Sequence, residues 1–262
     1  RSPLEVCIPI HEIIKGTHIR YIQDTITAVA PTEKTLHGSS GSRYTFNTLV
    51  LALGSETMYF DIPGLKDYSF GFTSITEALR LKRHLHEQLL ACTISPTNKD
   101  ADVCRTHIVI VGAGASGTEL AGELAAYTQD MSRKHTIDAS LITIDLIEAA
   151  PRVLPLMPED VSAKVVHRLR HLGINIFLNR TVVKEEVEGV YLRDMQMKTK
   201  TVIWTAGAKP AHLYGAITEF EHDKRGRVIV NEFLQVKGFP SIYTIGDGAS
   251  TQYSGMAQTA LH

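Results

Sequence analysis

The stretch His107-Ile-Val-Ile-Val-Gly-Ala-Gly-Ala-Ser-Gly-Thr-Glu-Leu-Ala-Gly-Glu-Leu124 restricts the fold more than any other part of the chain. A β-branched run, Ile108–Val111, stops at Gly112, and a helix-period pattern with Leu120, Leu124 and the small Ala121 and Ala125 follows at once. A strand that turns into a helix through G-x-G-x-x-G makes a phosphate cradle. Gly112 permits the tight turn, Gly114 lets a pyrophosphate approach the backbone, and Gly117 lets the helix lie close to the strand. The first helical N–H groups, around Ser116, then face the anion with about half a positive charge of helix dipole behind them. The expected fold is α/β with a Rossmann-like unit. That unit begins more than a hundred residues into the chain, so it is not the first element of the protein.

A dinucleotide fold places an acidic residue at the end of its second strand, where it accepts hydrogen bonds from ribose hydroxyls and repels a 2′-phosphate. Leu141–Ile147 reads as that strand and Glu148 ends it. Glu148 lies 31 residues after Gly117, against about 20 in the common unit. The extra length, Thr128–Ala139, is polar and reads as a helix extension plus a loop. NAD is therefore expected over NADP, with Arg152, four residues on, as a side chain that would tolerate a phosphate.

Bulk properties exclude several classes. A net charge of −1 gives no electrostatic case for nucleic acid or an anionic surface. No apolar run approaches the length of a membrane span, and no signal peptide is evident at the start. Cys7, Cys92 and Cys104 form no C-x-x-C pair, so a reducing compartment without disulfides is expected. His167 and His171 are four apart on a predicted helix but lack a third ligand, and His84 and His86 face different ways; no metal site is expected.

Along the chain, Ile8–Ile14 is a short amphipathic segment ended by Gly16, and His18–Gln23, Thr25–Ala30 and Tyr44–Leu53 read as strands, the last as one or a pair. Gly38-Ser-Ser-Gly41 is a turn, and Asp61-Ile-Pro-Gly64 a loop. Ser74–Leu90 is a helix with Ser74 and Glu77 in capping-box positions. Residues 93–106 read as a linker. Pro158 opens a helix, Glu159–Leu172, that Gly173 ends. Strands are predicted at Ile174–Leu178, Thr201–Trp204, Val228–Val230 and Ser241–Ile245, with a ribbon of Val182–Val187 and Val190–Arg193 between them.

Three apolar strands end in glycine: Thr48-Leu-Val-Leu-Ala-Leu-Gly54-Ser55, Ile203-Trp-Thr-Ala-Gly207-Ala and Ile242-Tyr-Thr-Ile-Gly246-Asp247-Gly-Ala. Glycine clears room at the ligand edge of a sheet, and an aspartate there suits a polyol. The order A-L-G-S, G-A-G-A-S-G-T-E-L-A-G-E-L, W-T-A-G-A and I-G-D-G-A resembles the two-dinucleotide-binding-domain flavoproteins. The polar insertion before Glu148, the Ala-Pro-Arg-Val-Leu-Pro that follows, and Met256-Ala-Gln-Thr-Ala260 are similar to the type II NADH dehydrogenases, single-subunit NADH:quinone oxidoreductases.

The resemblance implies an NAD(H)-binding Rossmann-like domain, residues 76–202, inserted into a partial FAD-binding domain, residues 1–75 and 203–262. It implies that Gly112, Gly114, Ser116 and Gly117 cradle NADH, with Glu148 at the ribose, Glu119 facing the nicotinamide region and Gly207 lining the same site. On the flavin side it implies Gly54, Gly246 and Asp247, the last at the ribityl hydroxyls, and Ala257 and Gln258 near the isoalloxazine. Hydride would pass from NADH to FAD and on to a quinone or other small acceptor, with no catalytic side chain. A homodimer is implied, cytoplasmic and peripheral on the inner face of the cell membrane, its membrane contact made by a C-terminal part beyond residue 262. The family's first G-x-G-x-x-G does not occur, because Gly38 and Gly41 lack the flanks. Residue 1 is thus expected to follow that cradle, and this stretch alone is expected to be flavin-free. No quinone role is carried onto His262. The alternatives are a related reductase with another acceptor, sulfide:quinone or disulfide, or a catalytically silent nucleotide sensor.

Overall fold

In the computed structural model, residues 7–91 and 106–252 are described. Helix α1 (Ile10–Ile14) ends at Gly16 and buries none of its side chains. Strands β1 (Ile26–Ala30), β2 (Thr35–Gly38) and β3 (Arg43–Thr45) form an antiparallel meander. His18–Gln23, predicted as a strand, is not one. Alternation does not supply the neighbouring edge that a strand needs, and Ile19, Tyr21 and Ile22 stay exposed. Next come β4 (Leu49–Leu51), β5 (Ser55–Thr57), α2 (Leu65–Tyr68) and α3 (Ile75–Ala91). The capping box that starts α3 is present: Glu77 N–H donates to Ser74 Oγ at 3.2 Å, and Ser74 N–H to Glu77 Oε2 at 3.0 Å.

The middle of the chain runs β6 (Thr106–Val111), α4 (Ala115–His135), β7 (Ile142–Ile147), α5 (Glu159–His171) and β8 (Asn175–Phe177). It continues through β9 (Val182–Glu186), β10 (Gly189–Leu192), β11 (Gln196–Lys198) and β12 (Thr201–Trp204). The helix extension predicted from Thr128 onward is the last two turns of α4. The last part holds β13 (Ala208–Pro210), α6 (His212–Ala216), β14 (Val228–Ile229), β15 (Gln235–Val236), β16 (Phe239–Thr244) and β17 (Ala249–Ser250). Cys92, Cys104 and the predicted linker lie outside the described residues, except for Thr106, which is the first residue of β6.

The chain forms two units. Thr57–Ala208 is inserted into a unit made of the residues before and after it. In the inserted unit β12, β6, β7 and β8 form a four-stranded parallel sheet in that order. Alternate side chains serve its two faces. Ile108, Ile110, Ile144, Leu146 and Ile203 pack under Leu81 and Leu85 of α3, Leu120 and Leu124 of α4, and Leu169 of α5. Val109, Val111, Ile147, Val202 and Trp204 pack on the other face, covered by Val182, Val190, Leu192 and Met197 of the β9–β11 meander and by Leu65 of α2. Each such fully buried side chain contributes roughly 1.5–3 kcal/mol. Burial on both faces explains why the strands are continuous apolar runs.

The outer unit holds the sheet β15-β16-β4, in which β16 and β4 run parallel. Its core joins Val29, Leu51, Leu213, Tyr214, Ile217, Phe220, Val228 and Ile242. The predicted buried strand Thr48–Leu53 is shorter and less buried than expected: β4 is the edge strand, so Leu51 is buried while Val50 and Leu53 are exposed. Strands β2, β5, β11, β13, β15 and β17 and helices α2 and α6 have no counterpart among the elements expected from the sequence.

Candidate dinucleotide-binding site

The cradle stands at the carboxyl ends of β6, β7 and β12, where a parallel sheet directs its ligands. Gly112 turns with φ +105°, and a Cβ there would come within 2.7 Å of the Ala206 backbone. A Cβ on Gly117 would lie 1.8 Å from the Gly112 carbonyl and 2.7 Å from Thr205 Oγ1. Both positions therefore demand glycine, the first for conformation and contact, the second for contact alone. Around Gly114 nothing lies within 4 Å of the missing Cβ, so that side of the turn is open.

Hydrogen bonds hold the turn still. Gly112 N–H donates to the Ile147 carbonyl at 2.8 Å, and Thr205 N–H to the Val111 carbonyl at 2.8 Å. Thr205 Oγ1 reaches both the Val111 and Gly112 carbonyls at 2.9 Å. Thr205 was not among the expected site residues; only its position after β12, itself next to β6, makes it part of the turn. Helix α4 is long, 21 residues, and its N-cap Gly114 offers no capping side chain. Its first turn has no acidic residue either, so the positive helix end is left to an external anion. Ser116 is exposed on that first turn, and Glu119 is exposed just after it.

Glu148 ends β7 and has two hydrogen bonds. Oε2 accepts from Ala113 N–H at 2.7 Å, inside the cradle, and Oε1 accepts from Ala150 N–H at 2.9 Å. Arg152 does not extend toward a ribose as the sequence suggested. Its guanidinium is turned into the loop that follows β7, donating to carbonyls of Leu154, Pro155 and Met157 and to Ser162 Oγ. Carbonyl acceptors and a serine satisfy the charge locally, so Arg152 is not placed for a 2′-phosphate. Gly207 lies beside Phe60, where a Cβ would meet the ring at 2.7 Å, and its carbonyl accepts from Met58 N–H at 3.0 Å.

In the outer unit the ends of β4 and β16 lie side by side. Gly54 and Gly246 follow them with φ of +66° and +65°, and the space beside each is open. Ser55 Oγ donates to Asp247 Oδ2 at 2.9 Å. Tyr214, fully buried, accepts from Leu53 N–H through its hydroxyl at 3.0 Å, and burial holds its phenol above the usual pKa. Nothing local in the sequence marks Ser55 or Tyr214 as partners of this edge. Ala257 and Gln258 lie outside the described residues.

A family model described as pyridine nucleotide-disulphide oxidoreductase matches residues 9–262. The chain belongs to this family. As a pyridine nucleotide-disulphide oxidoreductase, it is similar to the type II NADH:quinone oxidoreductase of Staphylococcus saprophyticus, 27% identical over 93% of this chain and 60% of the relative. It is similarly related to the Staphylococcus haemolyticus protein of the same name, at 29% identity and the same coverage. The chain thus spans about 60% of the length of these curated relatives. In fold it matches NDH2 from Plasmodium falciparum in complex with NADH, with a TM-score of 0.79, 22% identity, and coverage of 88% of this chain and 50% of that one. It also matches a Rhodopseudomonas palustris ferredoxin reductase, with a TM-score of 0.74, 20% identity, and coverage of 99% and 57%. The α/β architecture expected of a two-dinucleotide flavoprotein is therefore that of its family. Among the described residues no three His, Cys, Asp or Glu side chains are grouped to hold a metal, and no helix is long and apolar enough to cross a membrane. His167 and His171 are exposed on α5. His84, given no role by the sequence, is a packing residue: its ring stacks 4.7 Å from Phe70 and its Nε2 meets Thr201 Oγ1 at 2.8 Å.

Proposed function

We propose that this chain forms the nucleotide-binding part of an FAD-dependent NADH dehydrogenase that passes electrons to a quinone. One observation carries the reading: the uncapped amino end of α4 opens beside Gly114 while Gly112 and Gly117 leave no room for side chains. That arrangement suits a pyrophosphate. The names of the staphylococcal relatives supply the acceptor.

In this reading the inserted unit holds NADH and the outer unit holds part of the FAD. Gly112, Gly114, Ser116 and Gly117 take the pyrophosphate. Glu148 faces the adenosine ribose, Glu119 the nicotinamide end, and Gly207 lines the same site. Gly54, Gly246 and Asp247 take the ribityl side, and Ala257 and Gln258 the flavin ring. Bound FAD supplies the hydride-accepting ring. The protein supplies position: the helix end neutralises phosphate, and the glycine turns keep Cβ atoms away from both ligands. The reading also carries a homodimer and peripheral association with the cell membrane.

Anaerobic stopped-flow mixing of the full-length protein with NADH tests this. Flavin absorbance should bleach and return when a quinone is added. No bleaching with NADH would remove the reading.

A further inference from the structure

The loop between β7 and α5 has an unusual interior. Arg152 Nη1 donates to the carbonyls of Met157 (2.7 Å) and Leu154 (3.2 Å) and to Ser162 Oγ (2.7 Å), and Nη2 donates to the Pro155 carbonyl (2.6 Å). Ser162 Oγ in turn donates to the Val153 carbonyl at 2.8 Å. Four loop carbonyls therefore converge on one guanidinium and one serine. Ser162 and Val153 are both buried. Leu154 lies at φ +48°, in the left-handed region that a leucine keeps only where its surroundings hold it.

This loop grips the cradle. Leu154 N–H donates to the Ala113 carbonyl at 2.8 Å. Ala113 N–H donates to Glu148 Oε2, whose other oxygen accepts from Ala150 N–H in the same loop. Both backbone groups of Ala113, the residue between the first two cradle glycines, are thus bonded to the segment that Arg152 organises. Ala113 itself is fully buried, so the turn cannot shift without moving the core beneath it.

We propose that Arg152 is a positioning residue for dinucleotide recognition: it sets the β7–α5 loop and, through Leu154, Glu148 and Ala113, the shape of the phosphate cradle. The proposal rests on the reading of that cradle as a dinucleotide site. Its guanidinium is spent on loop carbonyls, so it does not read a 2′-phosphate. Arg152 therefore affects ligands with and without that phosphate alike.

The test uses the full-length protein, titrated calorimetrically with ADP-ribose and with 2′-phospho-ADP-ribose. Arg152→Met should weaken both by about tenfold, as a displaced binding frame does, and leave their ratio unchanged. Arg152→Lys should recover part of the loss, because an ammonium still reaches some of the carbonyls. Unchanged ADP-ribose binding in Arg152→Met, or loss confined to the 2′-phosphorylated ligand, overturns the proposal. A purely structural role would reduce the folded fraction and leave the Kd of the remainder intact, which also overturns it. If Arg152→Met does not fold, Ser162→Ala removes one acceptor and the Val153 bond; it should weaken both ligands by a smaller, equal factor, and unchanged binding there overturns the proposal. Wild-type protein that binds neither ligand overturns the dinucleotide reading itself, and the proposal with it.

Discussion

The Ser55 hydroxyl donates to the Asp247 carboxylate at 2.9 Å although 192 residues separate them. The two lie just past the ends of β4 and β16, which pair in parallel with Thr244 opposite Leu51. The whole inserted unit falls between them in the chain. Ser55 occupies one lone pair of Asp247 Oδ2 and fixes the carboxylate, leaving its other acceptor sites open.

Asp247→Ala in the full-length protein should lower flavin retention sharply, and Ser55→Ala should lower it less, because a free carboxylate still accepts. The flavin-to-protein absorbance ratio after gel filtration measures both. A full flavin complement in Asp247→Ala would contradict the assignment.

Tyr214→Phe removes the acceptor of Leu53 N–H at the turn that carries Gly54. An unpaired amide of this kind costs about 1–3 kcal/mol. Gly248→Ala should cost a similar amount, roughly 1–3 kcal/mol for an overpacked contact, since its Cβ would lie 2.2 Å from the Tyr214 ring. Urea denaturation of each variant reads these values. A Tyr214→Phe midpoint equal to wild type would show that water satisfies Leu53.

Glu148→Ala should act twice. It removes two charge-assisted acceptors, those of Ala113 and Ala150 N–H, at about 1.5–3 kcal/mol each before relaxation. It should also narrow the preference for NADH over NADPH, because the anion that repels a 2′-phosphate is gone. Steady-state kcat/KM for the two nucleotides decides the second point; an unchanged ratio would confine Glu148 to holding the cradle.

Two groups in the inserted unit make stability fall as pH rises. His107 meets acceptors at both ring nitrogens, Asp145 Oδ2 and the Lys198 carbonyl, each at 2.8 Å, and only the imidazolium donates to both. Burial opposes that charge, but the Asp145 and Lys198 bonds outweigh it and raise the pKa above the ordinary 6.5. Its contribution is complete below pH 6.5 and is lost as the pH rises through the folded value. Glu185 is buried on β9 with Oε2 unpartnered, and burial pushes it up to about 8. The folded chain therefore keeps a proton that the unfolded chain releases above 4.5, and stability drops between there and about pH 8 by on the order of a few kcal/mol. Glu185→Gln should remove that part of the slope and be more stable than wild type at pH 8.5. Parallel urea profiles for the two proteins across pH 5.5 to 8.5 would refute it.

Periodic elements were legible because their signal is local. The run Ile108–Val111, the leucine spacing of α3 and α4 and the Ser74–Glu77 box each reside within one element. Strands β11 and β15, three and two residues long, carry too few side chains to show a period, and they exist because β10 and β16 offer edges. His18–Gln23 fails for the converse reason: it has the alternation without an edge.

By itself the sequence determined the order strand, glycine turn, long helix, strand, acid, on which the proposed dinucleotide reading rests. Those properties depend on neighbours a few residues apart. Tertiary structure decided which polar atoms meet around that turn. It turned Glu148 back onto Ala113, folded Arg152 into its own loop, and brought Ser55 to Asp247 and Tyr214 to Leu53. The physical reason is that a buried hydrogen-bonding group takes whichever partner the packed sheets and loops bring within about 3 Å, and no residue spacing encodes that choice.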